Sequence, residues 1–529
     1  MYWFEYRKCS CDQETQDGKI TTAMKKLRSI VVLLGAFCLI SLQSYSQTGP
    51  GGVGNDTTNL LWLKADILTG YSDGDPLDTW IDTSGNQNHG EQTGSSRPTY
   101  ETNIINNLPA VYFDGVDDYI DTLFSVTSNK MTVFTVFAHN HNTSASNDST
   151  GPLWMCDYNG NTSGFFPLWA DGNQYLHYGI SWLNGPSDFN QRNKWYVSMI
   201  ERGNKTAIWK NNSKVQSTSF NEASISKFVI GRRLDRHYYK GYISEIIYYN
   251  SDINRTKEII VSNYISAKYN ISINQDKYAF QDNFGSDLAG IGQESADDNH
   301  SLAASKDILY MGNPSELENG EYLMWGHNGA DTTWTTTDAP YGGNATQILK
   351  REWRINKTGG DLGAVDISID TANIPNLPTG YHEYVLFIDD DGDLEFSTSS
   401  KEYKLDLKNG RLTAENITLL DGAVITIGAI RPVAFETSNS RIVEANTSAE
   451  VVVSIPEVRG IDISADYSVV SGTATQGVDY DLTSGTVTIM AGRLTDTIFV
   501  DIFDDNNTEG NEEFRIKLSN PSNAQLGKI

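Results

Sequence analysis

The sequence predicts an all-β chain made of several sandwich units, and three observations carry that prediction. Its 529 residues include 45 Gly, 27 Tyr, 19 Phe and 11 Trp but only 14 Pro. That is a balance of turn formers and strand-favouring aromatics. Apolar and polar residues alternate along Val451/Val453/Ile455, Ile498/Val500/Ile502 and Phe514/Ile516/Leu518, the period of a strand with one buried face. Short aromatic runs recur between Asn, Asp and Gly turns, whereas helical spacing stands out in one segment. At roughly 100–200 residues per unit, the length accommodates about three units.

Charge narrows the function classes. Asp and Glu number 67 against 40 Lys and Arg, a net charge of −27. A surplus of this sign opposes wrapping of nucleic-acid phosphates and adsorption to anionic membranes. It suits solubility, and loops of carboxylates that hold hard cations. A mean hydropathy of −0.41 excludes a polytopic membrane protein.

Residues 1–23 mix acids and bases and read as an upstream extension. Met24 opens a basic head with Lys25, Lys26 and Arg28, followed by an apolar run from Ile30 to Leu42 and small Ser44 and Ser46. This three-part pattern predicts a signal peptide over 24–46, too short for an ordinary spanning helix of ~20 residues. The expected location is secreted or at the cell surface, with no membrane span after cleavage. The leader holds Cys9, Cys11 and Cys38, so its removal leaves only Cys156. The mature chain then has no intramolecular disulfide and no Cys/His zinc pattern.

Residues 47–57 are Gly-rich and read as a linker. Over 58–273, the runs 131–138 and 195–200 predict strands, and 207–209, Asn211-Asn212 and Val215 predict a hairpin. One helix is predicted from Arg255 to about Tyr269, capped by Asp252 or Asn254, with Ile260/Tyr264 and Val261/Ile265 on a buried face. The stretches WIDTSGNQNHG (80–90), YFDGVDDYI (112–120), FVIGRR (228–233) and GYISEIIYYN (241–250) resemble laminin-G-like, concanavalin-A-like jelly rolls. The resemblance implies two curved antiparallel sheets and a carbohydrate or extracellular protein ligand. Residues 276–434 read as a second β-rich domain of unknown function. They are similar to an uncharacterised domain that follows such jelly rolls in exported bacterial proteins.

Residues 435–529 resemble a Calx-beta domain, a Greek-key sandwich. The matching stretches are IVEANTSAEVVVSI (442–455), YSVVSGTATQGVDYDLTSGTVTI (467–489) and DIFDDNNTEGNEEFRIKLSNP (501–521). Carried over residue by residue, the resemblance implies a calcium site made of Glu444, Asp479, Asp504, Asp505, Glu509 and Glu512. Calcium takes six to eight oxygens, so converging carboxylates suit it. Two departures stand against a complete set. Asn506 interrupts the acidic run, and the sequence ends at NAQLGKI before the family's last strand and terminal acids, as a truncated unit would.

Other acidic groups read as turns. Asp389-Asp390-Asp391-Gly392-Asp393 does not fit an EF-hand and predicts a turn between two strands. Asp114, Asp117 and Asp118 belong to a turn of the jelly roll. No catalytic residue is assigned. Gly70-Tyr71-Ser72-Asp73-Gly74 satisfies GxSxG but lacks a strand-to-helix elbow. Glu316, Glu318 and Glu321 mimic a glycosidase spacing, yet Asn319-Gly320 makes a turn there. The His residues are scattered, without HExxH or a phosphate-binding glycine loop. Trp154, Trp169, Trp182 and Phe165 offer either a carbohydrate platform or core packing, with core packing favoured. The reading is an exported binding or adhesion protein. A polysaccharide-degrading enzyme and a purely structural spacer of a large adhesin are the competing classes.

Overall fold

The computed structural model describes residues 2–6 and 49–527, apart from 123, 125–129, 141–150, 159–160, 167–173, 179–180, 186–190, 203–205, 219–226, 234–236, 342–344, 444–446 and 505–509. The predicted signal segment lies outside the described residues. The chain is all-β, as its pattern predicts, and no helix among the described residues is long and apolar enough to cross a membrane.

The first sandwich packs two antiparallel sheets. One runs Ser213–Thr218, Thr206–Lys210, Tyr196–Arg202, Met131–His139, Lys240–Tyr249, Leu108–Asp114, Thr99–Ile105 and Asp75–Pro76, with Asn59–Lys64 also paired to Lys240–Tyr249. The other runs from Ser181–Gly185 through Trp154–Tyr158 and Lys227–Ile230 to Thr79–Trp80. Trp80, Phe113, Phe137, Trp154, Ile230 and Tyr248 fill the space between them. The predicted hairpin forms with Asn211 and Asn212 both left-handed, at φ of 45° and 60°. Asn reaches this region more easily than most residues because its amide can bond locally.

All nine residues of Met131–His139 are buried. The strand shows why its apolar run does not alternate. Val133 and Phe137 face the sandwich core, while Phe134 and Val136 point the other way, into a second cluster. That cluster is built around the helix Arg255–Tyr269, whose Ile259, Ile260, Tyr264 and Ile265 are all buried. Asn254 caps the helix by accepting from Lys257 N at 3.0 Å, and left-handed Asn270 ends it. Glu245, fully buried in the central strand, fastens the helix to the sheet. Its carboxylate accepts from Trp62 Nε1 (2.6 Å), Tyr269 OH (2.8 Å), Lys268 Nζ (2.9 Å) and Tyr264 OH (3.1 Å).

The same cluster continues into the second unit through Tyr322, Met324, Val385 and Phe387, so the helix is shared packing. The second unit also has two sheets. One is centred on Tyr322–His327, Thr346–Thr358 and Val424–Ile430, the other on Leu309–Gly312, Val365–Ile369 and Arg411–Ile417. Trp325, Trp353, Ile367 and Ile427 lie in the core between them.

In the third unit the alternation is realised. Val451, Val453, Ile498, Val500, Ile502, Phe514 and Ile516 are buried, while Phe499 between them is 64% exposed. One sheet orders Tyr480–Asp481, Thr495–Ile502, Ser448–Ser454, Pro432–Phe435 and Gln525–Leu526. The facing sheet contains Gly485–Ile489, Ile463–Gly472 and Phe514–Ser522, followed by Tyr2–Tyr6 and Asn439–Ile442. Tyr2–Tyr6, from the stretch that sequence alone reads as upstream, pairs antiparallel to Phe514–Ser522 and parallel to Asn439–Ile442.

Candidate functional site

The acidic loops of the third unit meet at one end of its sandwich. Strand pairing sets Tyr480 opposite Ile502 and Asp481 opposite Asp501. One residue further, Phe503 N donates to Asp479 O at 2.9 Å, which brings Asp479 beside the start of the loop carrying Asp504. Glu513 O accepts from Thr473 N (2.7 Å) and Ala474 N (3.1 Å), which brings Glu512 to the same 473–479 turn. Ile502 N donates to Thr447 O at 3.1 Å, so the loop preceding Ser448–Ser454 reaches this end too.

The six expected ligands divide accordingly. Asp479 is 8% exposed and closes its own turn, with Oδ2 accepting from Thr475 N at 2.6 Å. Asp504 is exposed and Glu512 half-buried at the same end. Glu444, Asp505 and Glu509 lie outside the described residues. Asp479, Asp504 and Glu512 do not by themselves bring carboxylate oxygens within 4.8 Å of one another. The donors are hard oxygens, carboxylates alongside backbone carbonyls, which is the chemistry calcium takes.

Two other trios do converge within 4.8 Å, and both are turns, as their sequences predict. In the first, Asp118 Oδ2 accepts from Asp114 N (2.8 Å), Asp114 Oδ1 from Val116 N (2.7 Å), and Asp117 Oδ2 from Ser96 Oγ (3.0 Å). Burial, reinforced by the charges of Asp114 and Asp117, pushes the Asp118 carboxyl up to about 7. In the second, buried Asp389 accepts from Gly392 N (3.1 Å) and Leu394 N (3.0 Å), and burial raises its pKa. These carboxylates are occupied in holding backbone.

The remaining motifs have structural positions. Asp75 Oδ2 accepts from Ser72 N at 2.6 Å and Asp75 N donates to Ser72 O at 3.0 Å, so GxSxG is a tight turn. Glu321 accepts from Glu318 N at 2.7 Å and closes that turn. Glu316 and Glu318 line an open groove of about 680 Å³ with Gln293, Asn299 and Asn313. Trp154 is fully buried and stacked on Phe228 at 5.5 Å, a core position. Trp169, and the side chains of Trp182 and Phe165, fall outside the described residues.

Two families match parts of the chain. The Calx-beta domain matches residues 429–528, and a domain of unknown function, DUF8202, matches residues 259–423. The latter match starts inside the helix Arg255–Tyr269. No curated protein matches. Among solved structures, Domain 4 of AbnA, an extracellular arabinanase from Geobacillus stearothermophilus in complex with arabinotriose, is 16% identical. The match covers 36% of this chain and 92% of that one, with a TM-score of 0.29. A Trypanosoma rangeli sialidase is 13% identical over 47% of this chain and 40% of its own, with a TM-score of 0.30. The botulinum neurotoxin serotype D binding domain is 11% identical over 90% and 99%, with a TM-score of 0.31.

Proposed function

We propose that the chain is an exported binding or adhesion protein of the cell surface or medium, stiffened by calcium at the loop end of its Calx-beta unit. The meeting of the Asp479, Asp504 and Glu512 loops at one end of that sandwich is the observation that supports this most. Glu444, Asp505 and Glu509 complete the proposed ligand set. Without an ion, like charges on adjacent loops repel. An ion bound only by the folded form adds stability that grows with the logarithm of its concentration over Kd. The first sandwich, laminin-G-like in this reading, supplies the surface for a carbohydrate or an extracellular protein. Export rests on the 24–46 leader, and N-terminal sequencing of the mature protein is expected to start at Gln47.

The test is calorimetric. Millimolar calcium is expected to raise the melting transition of the third unit, and magnesium to raise it far less. Asp504→Asn, at an exposed position, should remove most of the calcium response while leaving the calcium-free transition in place. A transition indifferent to calcium would sink the metal reading. Glycan-array binding by the first sandwich tests the second half separately.

A further inference from the structure

Where the first sandwich, the helix and the second unit meet, they line a half-open cavity of about 280 Å³. Trp62 and Lys64 enter it from Asn59–Lys64, and Tyr264 from the helix. Asp287, Lys306 and Asp307 enter from the second unit.

Three features set this cavity apart from ordinary packing space. First, Lys64 is only 7% exposed, and its Nζ sits 4.0 Å above the centroid of the Trp62 ring. Among the described residues it has no hydrogen-bond or ion-pair partner. The nearby carboxylates are committed elsewhere: Glu245 and Asp66 to Lys268, and Asp287 to His327 and Lys306. Burial, helped by the charge of Lys268, lowers the Lys64 pKa, as expected of an ammonium denied an anion. Second, Asp307 Oδ1 is buried and accepts no hydrogen bond. Buried polar atoms are nearly always satisfied, so a cavity-lining residue whose carboxylate has no donor is an open valence. Third, Lys306 and Asp307 are the first two of the three loop residues, 306–308, between Leu302–Ser305 and Leu309–Gly312, both left-handed at φ of 53° and 55°. Such turns favour Asn-Gly. Here the conformation is held by a Lys and an Asp, and both side chains line the cavity. Strained backbone of this kind clusters at binding sites.

The complement of these walls is specific. A desolvated cation beside the Lys306–Asp287 ion pair calls for a carboxylate. A buried carboxylate oxygen lacking a donor calls for a hydroxyl. The half-buried Trp62 ring suits the C–H face of a saturated ring. The volume lies just under the range of about 300–1,000 Å³ typical of small-molecule pockets, which suits a single ring. We propose that the cavity binds a polyhydroxy carboxylate the size of one sugar ring, a uronic acid, with its carboxylate on Lys64 and ring hydroxyls donating to Asp307. An α-amino acid would also bring a carboxylate and a donor, but Lys306 next to Asp307 disfavours its ammonium. The site shares no residue with the calcium loops and stands whether or not calcium binds.

Isothermal titration of the full chain with D-glucuronate tests it, with D-glucose and glycine as comparison probes. One saturable site is expected for glucuronate, with at least roughly tenfold weaker binding of the other two, the scale of a lost charged hydrogen bond. Lys64→Met should weaken glucuronate by about tenfold or more while melting no lower than the parent, because it removes an ammonium without orphaning an acceptor. Should that variant fail to fold, Lys306→Ala at the exposed mouth, expected to weaken binding about threefold, and the probe comparison decide. The proposal is overturned by no saturable heat at roughly 10 mM glucuronate. It is equally overturned by glucose or glycine binding as tightly, or by unchanged affinity in folded Lys64→Met and Lys306→Ala.

Discussion

Replacing Glu245 by alanine would release the helix Arg255–Tyr269 from the first sandwich. The wild-type carboxylate is fully buried and receives four donors at 2.6–3.1 Å. Alanine leaves the Trp62 indole and the Tyr264 and Tyr269 hydroxyls without their acceptor, each worth about 1–3 kcal/mol when unsatisfied. Lys268 keeps Asp66 at 2.7 Å, so its charge is not stranded. Water entering the vacated volume recovers part of the loss. The net is about 3–5 kcal/mol, the range for breaking a buried ion pair. Glutamine retains one acceptor oxygen and should cost about half of that. A chain of several units need not unfold in one step. The readout is therefore amide exchange of the helix across a urea series, where a slope of ~3 kcal/mol per molar predicts a shift of about 1–1.7 M. Helix protection that falls by less than about 1 kcal/mol would refute the claim that Glu245 clamps it.

Three further outcomes follow from buried positions. His300 Nε2 lies 3.0 Å from Gly52 O, and burial, with the Lys257 charge adding, lowers its pKa from 6.5 to about 4. The unfolded chain takes up this proton first, so the contribution is whole above pH 6.5 and fades as pH falls toward 4, by up to roughly 3 kcal/mol. Subtracting the melting profile of His300→Gln isolates this slope from the opposite one of Glu258, whose pKa is raised to about 7, chiefly by burial. Gly52→Ala should cost about 2–3 kcal/mol in thermal unfolding, since φ is 76° and its Cβ would stand 2.5 Å from that of Ala303. Trp154→Ala should cost about 3–5 kcal/mol, and a variant that stays folded but loses glycan binding would contradict its assignment to the core.

What the sequence makes legible depends on how many faces of a strand are covered. The third unit has one face in water, so Val451, Val453, Ile498 and Val500 announce themselves by alternation and are buried. Met131–His139 is covered on both faces, so its composition reads as a strand but cannot say what lies behind it. That cover is a helix more than a hundred residues downstream, legible in its own spacing and cap but not in its destination. Glu245 sits in a run of buried apolar residues, and a carboxylate there is itself a signal that donors must converge on it. Nothing local names Trp62, Tyr264, Lys268 and Tyr269 as those donors. The acidic loops of the third unit differ, because their acids cluster in sequence and the loops that carry Asp479, Asp504 and Glu512 meet at one end of the sandwich. Even so, Asp479 spends one oxygen on Thr475 N, so the residue expected as a ligand acts as a turn former. The cavity at the seam is the extreme case. Lys64 ends a strand, Lys306 and Asp307 sit in a hairpin loop, and the three share no motif. Their chemistry exists because the helix fixes two sandwiches together, leaving a buried lysine without an ion-pair partner and a carboxylate without a donor along one half-open cavity. Such a site is found by asking which buried charge lacks a partner, a question that only the assembled fold can pose.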